Sequence, residues 1–209
     1  MTEPRGDVRL GRARAAIDAV NADDPDLIDD RGVRRPRAVV EAERVSAWLD
    51  RLDPDADDLQ RLAARGHHLG RWSLPRADYP PGRQGYLRWR AVQRTRQMEA
   101  IGNVLAEAGY DRDEVDRVKA IVGKQGLGRD AAVQTHEDAL CLVFLEQQLD
   151  GVADQLGDDH TVDVLRRTIA KMSPAAVEAA ATLGLSDAGR RLLTRAFEPV
   201  DAMKRLKIH

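Results

Sequence analysis

An all-α fold, a single compact multi-helix domain, is what this sequence predicts. Three observations carry that reading. Apolar residues recur at three- and four-residue spacing through most of the chain, alternating β-branched runs are missing, and helix start and stop residues return at regular intervals. At 209 residues the chain suits one domain, read as residues 10–209 behind a flexible N-terminal arm of residues 1–9.

Leu10 to Val20 reads as a short amphipathic helix that the acidic turn Asn21-Ala22-Asp23-Asp24-Pro25 ends. A polar loop through Gly32 and Pro36 leads to a helix with Val45, Trp48, Leu49 and Leu52 on one face. Asp53-Pro54 has the form of an N-cap followed by proline at the first helical position. The helix it opens carries Leu59, Leu62, Ala63 and Leu69 and runs into His67-His68. Ser73 to Gly85, with three prolines and two glycines, reads as an irregular loop long enough to be functional.

Tyr86 to Ala108 predicts a long helix that Gly109 stops. Asp111 and Glu114 have capping-box spacing for the next, which Gly123-Lys124-Gln125-Gly126-Leu127-Gly128 breaks. Asp130 caps a sixth helix to about Leu149, apolar all round at its centre and therefore the expected core helix. Val162 to Met172, a helix from Ser173-Pro174, and a last helix from Ser186 through Phe197 complete the chain.

The net charge of -2 and pI near 6.2 exclude a generally basic nucleic-acid binder while leaving room for a local basic groove. Cys141 is the only cysteine, so no intramolecular disulfide forms, and its apolar surroundings predict a buried thiol. The apolar run 139–145 is too short to span a bilayer, and the N-terminus holds no signal-peptide core. A cytoplasmic protein with no membrane partner is the expectation.

The stretch from Gly66 to Arg90 concentrates chemistry. Aromatic residues are only 4% of the chain, yet two of three tryptophans and two of three tyrosines fall here beside His67, His68 and a cluster of arginines. His68 is the candidate site residue, with Arg71 and Trp72 close by. Arg71, Arg76 and Arg90 offer forks for an anion, and Trp72, Tyr79, Tyr86 and Trp89 offer flat surfaces. Glu137 falls on the apolar stripe Val133, Leu140, Phe144, and Asp138 on the neighbouring one. Buried carboxylates need a partner, either an arginine or a role as general base or metal ligand.

Three comparisons fail. The Gly123–Gly128 run follows a helix and lacks the Gly-Lys-Ser/Thr ending of a phosphate-binding loop. Lys171-Met172-Ser173-Pro174 is better read as a helix end and a new cap than as a synthetase signature. GxSxG, Cys-x-x-Cys and HExxH are absent.

Several blocks together resemble one family: Ala42-Glu43-Arg44-Val45-Ser46-Ala47-Trp48-Leu49, the turn from His68 to Trp72, Pro75-Arg76-x-x-Tyr79-Pro80, Gly85-Tyr86-Leu87-x-Trp89-Arg90, and Glu137-Asp138-Ala139-x-Cys141-Leu142-Val143-Phe144-Leu145-Glu146. It is a domain-of-unknown-function family of bacteria and fungi, some of whose members carry a transferred "glutamyl-tRNA synthetase" label, and the likeness runs from about Ile17 to Arg195. The order of features is also similar to the HD-type metal phosphohydrolases, with histidines on early helices and acids opening a late core helix. That resemblance implies a divalent metal ion at His68 and Asp138, His68, Glu137 and Asp138 as acid, base or ligand, and Glu43 as a further member. Gln97 departs from the pattern, standing where relatives often have histidine.

Two function classes follow. One is a metal-assisted phosphohydrolase acting on a nucleotide or another phosphorylated small molecule. The other is a non-catalytic helical module that binds a nucleotide, RNA or a protein through the same arginines and rings. A purely structural role for the histidines and acids is the third outcome the residues allow.

Overall fold

The structure, a computed structural model, describes residues 5–198. The chain divides into two compact units, Met1–Ala139 and Leu140–His209, where the sequence reading counts one. The division falls inside a helix. Residues 1–4 of the expected N-terminal arm lie outside the described residues.

In the first unit, α1 (Arg5–Ala22) already includes residues 5–9 of that arm. Next comes a small antiparallel hairpin, β1 (Leu27–Asp30) and β2 (Val33–Pro36), paired from Leu27↔Pro36 to Asp30↔Val33. The sequence reading places a polar loop there. Its signal is short: four-residue strands around Arg31 and Gly32, both with positive φ (58° and 84°), the two-residue turn that matches strand twist.

Helix α2 (Arg37–Leu52) buries Ala38, Glu41, Ala42, Val45, Trp48 and Leu49 at helical spacing. Helix α3 (Asp58–Arg65) starts four residues later than Asp53-Pro54 suggests, because the better cap wins. Asp57 accepts from the Gln60 amide at 2.8 Å while the Gln60 side chain accepts from the Asp57 amide at 3.0 Å. The helix stops at Gly66, so His67 and His68 sit in the turn beyond it.

Helix α4 (Gly82–Ala108) ends on Gly109 in the left-handed region, and α5 (Arg112–Val122) opens on the Asp111–Glu114 capping box, both as the sequence predicts. Asp130 caps α6 (Ala131–Gln147), accepting from the amides of Ala132 and Val133, and the Arg117 guanidinium bonded to it holds its carboxyl down at about 2. The unit's core joins Ile17 of α1, Leu62 and Ala63 of α3, Ile101 and Leu105 of α4, and Val118 and Ile121 of α5. Burial on α6 continues through Cys141, Leu142, Val143 and Leu145.

The second unit holds the rest of α6 and α7 (Leu149–Leu156), α8 (Asp158–Ile169), α9 (Pro174–Ala181) and α10 (Asp187–Phe197). Ser173 and Ser186 cap α9 and α10 as read from sequence, accepting from Ala176 and Gly189. Among the described residues no helix is long and apolar enough to cross a membrane.

Gly85 shows how tightly the irregular loop meets α4. A Cβ there would stand 1.9 Å from the Pro80 carbonyl oxygen, a backbone atom with no flexible end to give. Gly85→Ala is expected to destabilise the protein by about 1–3 kcal/mol, as overpacking does, read as a lower urea midpoint. An unchanged midpoint would show that the 75–85 segment is not held against the helix.

Candidate functional site

The site grows from the turn after α3. Gly66 ends the helix, Leu69 donates back to Gly66, and Arg71 donates to the His68 carbonyl at 2.9 Å. Gly70 takes a left-handed φ of 66°, which lets a short 3-10 turn (Arg71–Ser73) follow at once. Helix α4 clamps this turn from its side chains: Trp89 Nε1 donates to the Leu74 carbonyl at 3.0 Å, and Gln93 Nε2 to those of Arg71 and Leu74 at 2.7 and 3.1 Å. An otherwise irregular segment is thereby fixed.

His68 Nδ1 meets Glu41 Oε2 at 2.6 Å, while its Nε2 bonds no described residue. Glu41 belongs to the buried face of α2. Burial alone would raise its carboxyl, but the hydrogen bond and charge of His68, with Arg71 and Arg37, hold it below the ordinary glutamate range. Arg71 stacks on Trp89, 4.9 Å from the ring centre. Its guanidinium makes no hydrogen bond or close ion pair among the described residues. Burial, the largest effect on it, lowers its proton affinity, and Glu41 opposes that.

A second layer lies behind His68. Its ring is 4.6 Å from that of His67, and His67 lies 4.8 Å from His136, whose Nε2 is 2.9 Å from His67 Nδ1. His136 is 1% exposed and Glu137 beside it 2%. Lys124, a non-glycine residue at φ 58°, forms an ion pair with Glu137. Asp138 accepts from Gln134 at 2.9 Å. The His136 Nδ1 and Gln97 Nε2 atoms are buried without a hydrogen-bond partner among the described residues.

Of the residues singled out by sequence, His68, Arg71 and Trp89 share one neighbourhood, and Tyr86 and Arg90 adjoin it through the Tyr86–Trp89 ring contact at 6.0 Å. Trp72 and Tyr79 are half-buried near the turn. Arg76 is placed otherwise: its fork donates to the carbonyls of Tyr79, Pro80 and Gly82, so it braces the loop and does not offer free donors to a substrate. Glu43 faces outward to Arg35 at 2.7 Å, and Glu41 takes the place foreseen for it. The early histidines reach α6 through His67 and His136, two residues outside the expected set. For His136, as for Glu41, the signal was present: both fall on apolar stripes, as Glu137 does.

The metal expectation is tested by the donors. Glu137 is engaged by Lys124 and Asp138 by Gln134, whereas His68, bonded to Glu41 through Nδ1, keeps Nε2 open. Among the described residues no group of three or more His, Cys, Asp or Glu is disposed to hold a metal ion. As placed, His68, Glu137 and Asp138 do not form such a group.

Burial, first, and then the charges of His68, His136, Lys124 and Arg71 push His67 well below the ordinary histidine range. Burial and Lys124 likewise take His136 down to about 3. Between the unfolded value of about 6.5 and that folded value, the unfolded chain binds more protons, so stability is full above the former and is lost as pH falls. Unfolding free energies from pH 7 to 4.5 are expected to drop by up to about 1.4 kcal/mol per pH unit for His136. His136→Leu should flatten that slope, and an unaltered slope in the variant would refute the buried neutral imidazole.

The family described as "Domain of unknown function (DUF4202)" matches residues 11–193, and the chain belongs to it. No curated protein matches the chain, and no solved structure does.

Proposed function

We propose that this chain is a hydrolase of phosphorylated small molecules that works by general acid–base catalysis at His68 without a resident metal ion. The observation that carries the reading is the Glu41–His68 pair standing beside an arginine with unengaged donors. A carboxylate on Nδ1 fixes the imidazole's tautomer and orientation and leaves Nε2 to exchange a proton with a reactant. Planar guanidinium donors match two phosphate oxygens, and packing against Trp89 preorders that fork.

In this reading Arg71 holds the phosphoryl group. His68 Nε2 takes a proton from water as its oxygen bonds to phosphorus, the bond to the leaving oxygen breaks, and the imidazolium returns the proton to that oxygen. Glu41 stabilises the transient cation without itself taking the proton. His67, His136, Lys124 and Glu137 form the buried wall behind His68. Arg71 supplies positive potential, which favours an anionic substrate over a neutral one.

Phosphate release from a panel of nucleoside monophosphates, sugar phosphates and p-nitrophenyl phosphate is the direct assay. A metal chelator is expected to leave the rate intact. His68→Ala should lower kcat by about 10²–10⁴-fold. Glu41→Gln should lower kcat with little change in KM and alter the pH profile, and Arg71→Ala should act chiefly on KM. Absence of release from every compound, or a rate indifferent to His68→Ala, overturns the proposal.

A further inference from the structure

We propose that the solvent face of the first half of α4 binds single-stranded RNA. The inference stands apart from the chemistry at His68, because it rests on different side chains and is read by binding alone.

From Tyr79 to Met98 the chain has five arginines and no acidic residue, although Asp and Glu number 35 in the whole sequence and the net charge is -2. Arg83, Arg90 and Arg94 fall at i, i+7 and i+11 of α4, on one stripe about 16 Å long. All three are exposed, and none makes an ion pair or side-chain hydrogen bond to a described residue. Several other arginines meet carboxylates, as Arg61 meets Asp50, Arg112 meets Asp116 and Arg195 meets Asp159. Positive charge left unmatched along a helix is the footprint of a polyanion.

One aromatic ring interrupts the stripe. Tyr86 is 44% exposed, with the Arg90 guanidinium 5.8 Å from its ring centre and Trp89 supporting it from beneath. Backbone-tracking cations interleaved with a ring on which a base can lie is how single strands are held without sequence preference. A duplex offers its phosphates but keeps its bases stacked, whereas RNA presents unstacked bases in loops and ends. An anionic membrane is a poorer fit. Tyr86 and Leu87 are the only large apolar side chains exposed on this helix, and an interfacial helix needs a continuous apolar face.

The test is fluorescence anisotropy of the full chain with a labelled 20-nucleotide oligouridylate across a salt series. Binding is expected to weaken linearly in log–log form. The combined change Arg83→Ala, Arg90→Ala, Arg94→Ala should lower the slope by about two, at about 0.7 per phosphate contact. Tyr86→Ala should weaken binding about tenfold, in line with one lost stacking contact. Glu41→Gln, which removes the partner of His68, should bind the oligonucleotide as the parent does, so failure of one proposal is told from failure of the other. The assignment falls if the oligouridylate does not bind at low salt, or if binding ignores these four substitutions. It also falls if oligodeoxythymidylate or a duplex binds as well, or if phosphatidylserine vesicles bind where the RNA does not.

Discussion

Polar groups removed from water must find partners, and the first unit is organised around that requirement. A buried carboxylate or imidazole left alone costs several kcal/mol. Three ties join groups from different parts of the chain: Glu41 of α2 to His68 of the turn, His67 of the turn to His136 of α6, and Lys124 of the preceding loop to Glu137. The ties run between elements far apart in sequence, so they fix where the α3–α4 turn stands relative to α2 and to the start of α6. Apolar packing alone is non-directional and would tolerate several such placements.

That network also decides which groups retain chemistry. Glu137 and Asp138 look like site acids from the sequence because they lie on apolar stripes, but the partners that make their burial tolerable also occupy their oxygens. Among the described residues His68 is held on one nitrogen and Arg71 by its ring contact. The proposed chemistry therefore sits at the edge of the network, where donors and acceptors remain open.

Much of the helical architecture was legible because it is written locally. The Asp111–Glu114 box, Gly109, Asp130, Ser173 and Ser186 each mark a boundary that the structure keeps. The hairpin escaped because four-residue strands leave no period to detect, and the α3 boundary shifted because Asp57 with Gln60 caps better than Asp53 with Pro54. Of the candidate site, the segment and His68 stand out in the composition. Its partner was not, because Glu41 lies 27 residues away and only the packing of α2 brings it near. Glu43, two residues on, points to the opposite side of the same helix.

Arg76 carries a consequence of its own. The stretch it spans, Tyr79 to Gly82, runs from the end of the 3-10 turn Arg76–Asp78 to the first residue of α4, and a single planar side chain collects three of its carbonyls. Rigidity is thus concentrated in one residue. A lysine at that place would keep the charge while losing the flat geometry that reaches three oxygens together.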